Sequence, residues 1–142
     1  MTSLDSLFSG MRSASTGLTS ERLRLDVIAE NIANARNTRT ADGGPYRRKV
    51  VHFEPILRQA LAGEHAVGVN TTKVEPDMKT PFTEIFEPAH PDANSEGMVA
   101  YPNVNAIMEM ADMVTAMRAY ESNLTVQEMF VKMSERALTL AR

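Results

Sequence analysis

Between Pro102 and Arg142 the chain contains neither proline nor glycine, and this uninterrupted stretch constrains the fold more than any other. Nothing in it breaks a helix. Met110, Met117, Leu124, Val131 and Leu138 recur every seven residues, all apolar. Ile107 and Val114 begin a neighbouring column that turns acidic at Glu121, Glu128 and Glu135, while Ala119, Val126, Met133 and Leu140 form a further apolar column. A seven-residue repeat spans two helical turns and keeps one seam toward a partner helix. A helix apolar on more than one side has more than one neighbour. At 1.5 Å per residue, a helix from Asn105 to Ala141 is a rod of about 55 Å, long for a compact domain of this size.

The N-terminal third carries the same period. Leu4, Met11, Leu18, Leu25 and Ile32 form one apolar column, and Leu7, Ala14, Ile28 and Ala35 form a companion interrupted only by Glu21. The pattern predicts a helix from Leu4 to Asn34 that packs with the C-terminal one. Gly10 and Gly17 fall inside it and weaken a helix by about 1 kcal/mol each, so these turns are either loose or closely packed. Asn31 and Asn34 share one helix face. There an amide beside an apolar seam sets register by hydrogen bonding, or else Asn34 ends the helix and Asn31 is exposed.

From Asn37 the texture changes. Asp42-Gly43-Gly44-Pro45 signals a turn, and six of the seven prolines lie between 45 and 91. Tyr46–Phe53 reads as a strand, with Arg47-Arg48-Lys49 as a solvated face or a contact for an acidic partner. Pro55 opens a short helix, Ile56–Leu61, that Gly63 stops. Ala66–Val74 and Thr83–Phe86 read as strands. The expected architecture is therefore mainly α with a small β insert: long helices in 1–36 and 103–142 form a coiled-coil hairpin, packed as one core, around a short irregular β-containing region, 37–102.

Charge and composition exclude several functions. Each third of the chain mixes acids and bases, and the net charge is −3. No basic surface suited to nucleic acid emerges. The absence of cysteine removes disulfides, zinc–thiolate sites and cysteine nucleophiles. No apolar run approaches a membrane span, and the Met1–Asp5 start lacks the basic and apolar blocks of a cleaved signal. His52, His65 and His90 lack ligand spacing, and Glu121, Glu128 and Glu135 lie about 10 Å apart along a helix, too far to share one ion. No phosphate loop or serine elbow is present. His90-Pro91-Asp92 matches the tripeptide of J-domains, but it lies in a proline-bounded loop instead of between antiparallel helices. The expectation is no catalytic site, no cofactor and no metal.

Two stretches carry a resemblance. Leu25-Asp26-Val27-Ile28-Ala29-Glu30-Asn31-Ile32-Ala33-Asn34-Ala35 resembles the N-terminal signature of bacterial flagellar rod and hook axial proteins. Asn103-Val104-Asn105, with Glu109-Met110-Ala111-Asp112-Met113 and Arg118-Ala119-Tyr120-Glu121-Ser122-Asn123, resembles their C-terminal signature. Gly44-Pro45-Tyr46-Arg47, Pro88–Ala93 and Tyr101-Pro102-Asn103-Val104 are similar to the proximal-rod branch of that family, as is the short insert. Asn105 stands where the family commonly has Asp, and Met98 where it usually has Tyr.

The resemblance implies a structural subunit, exported by the flagellar type III apparatus without signal cleavage and assembled in the periplasmic rod that carries torque from motor to hook. Its partners would be copies of itself, other rod proteins, the export apparatus and the basal-body rings. Columns and signatures together nominate Leu4, Met11, Leu18, Leu25, Ile28, Asn31, Ile32 and Asn34 for subunit packing. On the C-terminal side they nominate Val104, Ile107, Met110, Val114, Met117, Tyr120, Asn123, Leu124, Val131 and Leu138. The competing expectation is a cytoplasmic coiled-coil adaptor or chaperone module.

Overall fold

In a computed structural model the chain forms two long helices that bracket two β-hairpins. The structure describes residues 3–41, 43–60 and 63–140. Helix α1 spans Ser3–Ala33 and helix α2 spans Ala106–Leu140, within a residue or two of the predicted ends. Helix α2 starts at Asn105, whose side-chain oxygen accepts the backbone N–H of Ile107 (3.1 Å) and Met108 (3.3 Å). Asparagine caps a helix as aspartate does, so the departure from Asp at this position preserves the cap.

The insert differs from expectation in its first half. Strand β1 spans Lys49–Ala60 and pairs antiparallel with β2, Gly63–Pro76. Ile56–Ala60, expected as the body of a short helix, is the second half of β1, and Leu61 lies outside the described residues. Pro55 pairs with Val69 between two breaks in register, at His52/Phe53 and Ile56/Leu57. A two-stranded ribbon is all edge, and edges and bulges are where a sheet tolerates proline. The strand also starts later than predicted, leaving Tyr46, Arg47 and Arg48 in the approach to it. The second hairpin pairs β3, Thr83–Phe86, with β4, Met98–Tyr101. Strand β4 was not foreseen, although Gly97 and Pro102 punctuate it on either side.

The helices run antiparallel. A Cβ at Gly10 would lie 2.8 Å from the Phe130 ring, and one at Gly17 would lie 2.9 Å from the Asn123 amide. Each seven-residue step along α1 is thus matched by a seven-residue step back along α2. The glycines are sockets for close approach, which resolves the choice between loose and close-packed turns. The first hairpin leans on α1 through Gly68, where a Cβ would meet Thr16 Oγ1 at 2.7 Å. Thr16 Oγ1 accepts from the Val69 N–H (3.1 Å) and donates to the Ser13 carbonyl (2.9 Å). Among the residues whose side chains are described, the buried apolar ones are few: Ala14, Val27, Ile28, Tyr46, Val99 and Ala116.

Candidate functional site

Where α1, the insert and α2 meet, the centre is polar. Asn31, 1% exposed, uses its whole amide. Its oxygen accepts the Tyr46 hydroxyl and the Lys49 N–H, both at 2.9 Å. Its nitrogen donates to the Lys49 carbonyl and to Glu109 Oε2, both at 3.0 Å. Glu109, also 1% exposed, receives Arg48 Nε on its other oxygen at 2.6 Å. A buried carboxylate is retained only when paired and hydrogen-bonded, and both conditions hold here. Its place in the first turn of α2 adds a favourable interaction with the helix dipole.

The surrounding loops present these groups. Gly43 and Gly44 take φ of +85° and +80°, and the loop they turn closes with the Tyr46 N–H on the Asn37 carbonyl at 2.9 Å. That closure places the Tyr46 ring under α1. Asn103 accepts the Arg48 N–H (2.8 Å) and donates to the carbonyls of Asp77 (3.2 Å) and Thr80 (3.1 Å). Arg47 donates to the Asp77 carbonyl and stacks over Phe82, 4.1 Å from the ring centre. Lys49 pairs with Glu30 at 2.6 Å. The basic triplet therefore meets acids and carbonyls of its own chain. Burial, followed by the charges of Glu30 and Glu109, pushes the Tyr46 phenol up to about 12.

As chemistry this centre is closed. Both Glu109 oxygens are occupied, the Tyr46 proton is engaged, and Arg48 bridges toward Asp112 at 3.9 Å. Among the described residues no group of three or more His, Asp or Glu could hold a metal ion, and no helix is long and apolar enough to cross a membrane. His90-Pro91-Asp92 is a docked turn: Asp92 accepts the Thr38 hydroxyl at 2.8 Å and pairs with Arg39 at 3.5 Å.

The nominated packing residues divide into two sets. Ile28 and Asn31 are buried within the chain. Leu18, Leu25, Ile32, Asn34, Val104, Tyr120 and Asn123 are half-buried. Asn34, just past the end of α1, donates to the Glu30 carbonyl at 2.9 Å and accepts from Asn37. The alternatives posed for the two asparagines therefore split: Asn31 lies in the seam and Asn34 closes the helix. The second set faces outward. Met11, Leu124, Met117, Val131 and Val114 are 38–49% exposed, Met110 54%, Leu138 72% and Ile107 78%. The side chain of Leu4 lies outside the described residues.

The α2 column that meets α1 is Glu109, Ala116, Asn123 and Phe130, one residue before the apolar column Met110, Met117, Leu124 and Val131. Sequence reasoning recognised the pairing of the helices but placed it on the apolar columns. It quoted Glu109, Tyr46 and Asn103 within the family signatures and Arg48 within the basic triplet, but nominated none of them for packing. A lone acid between Met108 and Met110, at seven-residue steps from Ala116 and Asn123, was the available signal for the first of these.

Residues 11–38 match the family described as flagella basal body rod protein, and residues 95–140 match the flagellar basal body rod FlgEFG protein C-terminal family. The flagellar basal-body rod protein FlgC of Borreliella burgdorferi is 43% identical, covering 94% of this chain and 97% of its own length. FlgC of Bacillus subtilis is 34% identical, over 95% and 98% respectively. FlgC of Aquifex aeolicus is 32% identical, over 92% and 93%.

Proposed function

The chain belongs to the FlgC family of flagellar basal-body rod proteins, and from that premise we propose how its geometry serves a rod. It is a structural subunit of the flagellar basal-body rod and interacts with other rod components. In our reading, residues 1–36 and 103–142 form the axial core of the proximal rod, and the insert 37–102 faces away from the axis. The observation that carries this reading is the outward direction of the apolar columns of α2. From Ile107 to Leu138, nine large apolar side chains besides those two stay more than a third exposed in the single chain. Exposed apolar surface of that extent marks an interaction surface.

In this reading the contacts through that face are heterologous, one face of α2 meeting a different surface of the next subunit, and contacts of that kind build an open helical tube. Such a tube, filled by copies of this chain and by other rod proteins, transmits torque from motor to hook. The same reading includes export by the flagellar type III apparatus with no signal removed, assembly in the periplasm, and contact with the basal-body rings. It asks no catalysis of the chain, since the buried acid and phenol are bonded to each other's partners. Similarity to rod proteins over nearly the whole length disfavours a cytoplasmic adaptor.

Deletion of the gene tests the reading, scored by swimming in soft agar and by electron microscopy of the cell envelope. The expected result is loss of motility with basal structures halted before hook and filament, restored by this gene alone. Normal filaments and swimming, with no second copy present, would sink it.

A further inference from the structure

The two helices have an apolar pairing available that they do not use. On α1 the seam passes through Gly10, Gly17 and Asn31. On α2 it passes through Phe130, Asn123 and Glu109. The apolar columns begin one residue later on both helices. Turning each helix by one residue, about 100°, would bring Leu18 opposite Leu124, Leu25 opposite Met117 and Ile32 opposite Met110. The antiparallel matching of seven-residue steps would be kept throughout. That pairing puts leucine and methionine where the observed one puts glycine, asparagine and glutamate. It would also bury the α2 column that now stands 41–54% exposed at Leu124, Met117 and Met110. A protein needing that column for neighbours must be held out of the rotated state.

We propose that Asn31, Arg48 and Glu109 act as a register clasp that holds α1 and α2 one residue away from their most apolar pairing and so keeps the apolar column of α2 open. All three groups are specific to the observed rotation. Glu109 Oε2 meets Asn31 Nδ2 across the helices, and Glu109 Oε1 meets Arg48 Nε from the insert. Turning α2 by one residue would carry the carboxylate away from both donors, leave Arg48 Nε and one hydrogen of the Asn31 amide without the acceptor they now share, and put Met110 in its place. A buried polar contact that only one register satisfies selects that register. Arg48 extends the selection to the insert, because its backbone N–H is held by Asn103, immediately before α2. The clasp rests on the reading that the outward column meets neighbouring subunits, which gives its openness a purpose.

The chain has no cysteine, so introduced pairs report register without background. Gly17→Cys/Asn123→Cys reports the observed pairing and Leu18→Cys/Leu124→Cys the rotated one. Each pair is placed in the otherwise unchanged chain and in Asn31→Leu/Arg48→Met/Glu109→Leu, where no member of the clasp is left charged and alone. The readout is the rate of intramolecular disulfide formation in the purified chain, with helicity followed by circular dichroism.

With the clasp, the first pair should close at least tenfold faster than the second. Without it, the preference should disappear or reverse while helicity stays. An unchanged preference without the clasp would overturn the proposal, as would equal rates with it. Should the triple variant lose its helical signal, Glu109→Gln decides. It keeps the side-chain shape and should lower the preference at least threefold, and an unchanged ratio there would count against the clasp. The measurement is made within one chain, so it separates from the assembly reading: Leu124→Asp swimming normally would sink that reading and leave the register result standing.

Discussion

Tyr46 is the residue where burial and charge act in the same direction. Its hydroxyl donates to Asn31, the residue is 7% exposed, and ionising it would add a further negative charge beside Glu30 and Glu109. Its folded pKa of about 12 lies above the unfolded value near 10. The protonated form is thus favoured by folding, and the stability it contributes is complete below pH 10 and lost as pH rises from 10 to 12. Two pH units correspond to about 2–3 kcal/mol. Tyr46→Phe should cost about 1 kcal/mol at pH 7, the worth of one buried hydrogen bond, and should flatten this alkaline loss relative to the unchanged chain. Urea unfolding at pH 8, 10 and 11.5 compares the two; parallel curves across that range would show that the phenol proton is not coupled to folding. Gly97 is a second position where one atom matters. Its φ of +75° and the Phe86 and Pro88 atoms at 2.9 and 3.1 Å from a built Cβ leave no room for a side chain.

At the scale of the element, the helix pair is set by what is small. A side chain at Gly17 must displace Asn123, since its Cβ alone would come within 2.9 Å. Gly17→Leu should therefore destabilise by about 1–3 kcal/mol through overpacking, although leucine favours helix by about 1 kcal/mol over glycine. Adding Asn123→Ala should return most of the loss. A double-mutant cycle by thermal unfolding measures that coupling, and additive effects would mean the two residues do not meet. This dependence on small residues explains what the sequence could and could not reveal. Helix extent was legible because seven-residue columns and the absence of proline and glycine after Pro102 are local signals. Which column faces α1 was not, because a repeat of seven runs through every column at once, and hydrophobicity favours Met110–Val131 over the column actually used. The choice is made by Asn31, Arg48 and Glu109, residues far apart in the chain. The misread segment after Pro55 has the same origin: proline before an apolar run signals a helix start, and only pairing with β2 shows that it is a ribbon edge.

For the whole molecule, these features leave a chain with a small interior and a large apolar exterior. The last turns of α2 after Phe130 have no buried side chain through Thr139, whereas Asn31 and Glu109, both 1% exposed, lie where α1, the insert and α2 meet. Burial of about 25 cal/mol per Å² remains available on that exterior only through other subunits. The same division separates folding from assembly in a way mutation can expose. Leu124 is 41% exposed and its column faces away from α1, so Leu124→Asp should change the unfolding free energy of the isolated chain by no more than about 0.5 kcal/mol. In cells it should abolish swimming, because a carboxylate buried between subunits without a partner costs several kcal/mol. Leu25, half-buried beside Ile28, should behave differently: Leu25→Asp loses both stability and motility. Measured together, melting curves and soft-agar spreading separate the two faces. A strain swimming normally with Leu124→Asp would place the rod contact on another face of α2, and a chain unfolded by it would show that the column is already buried at home.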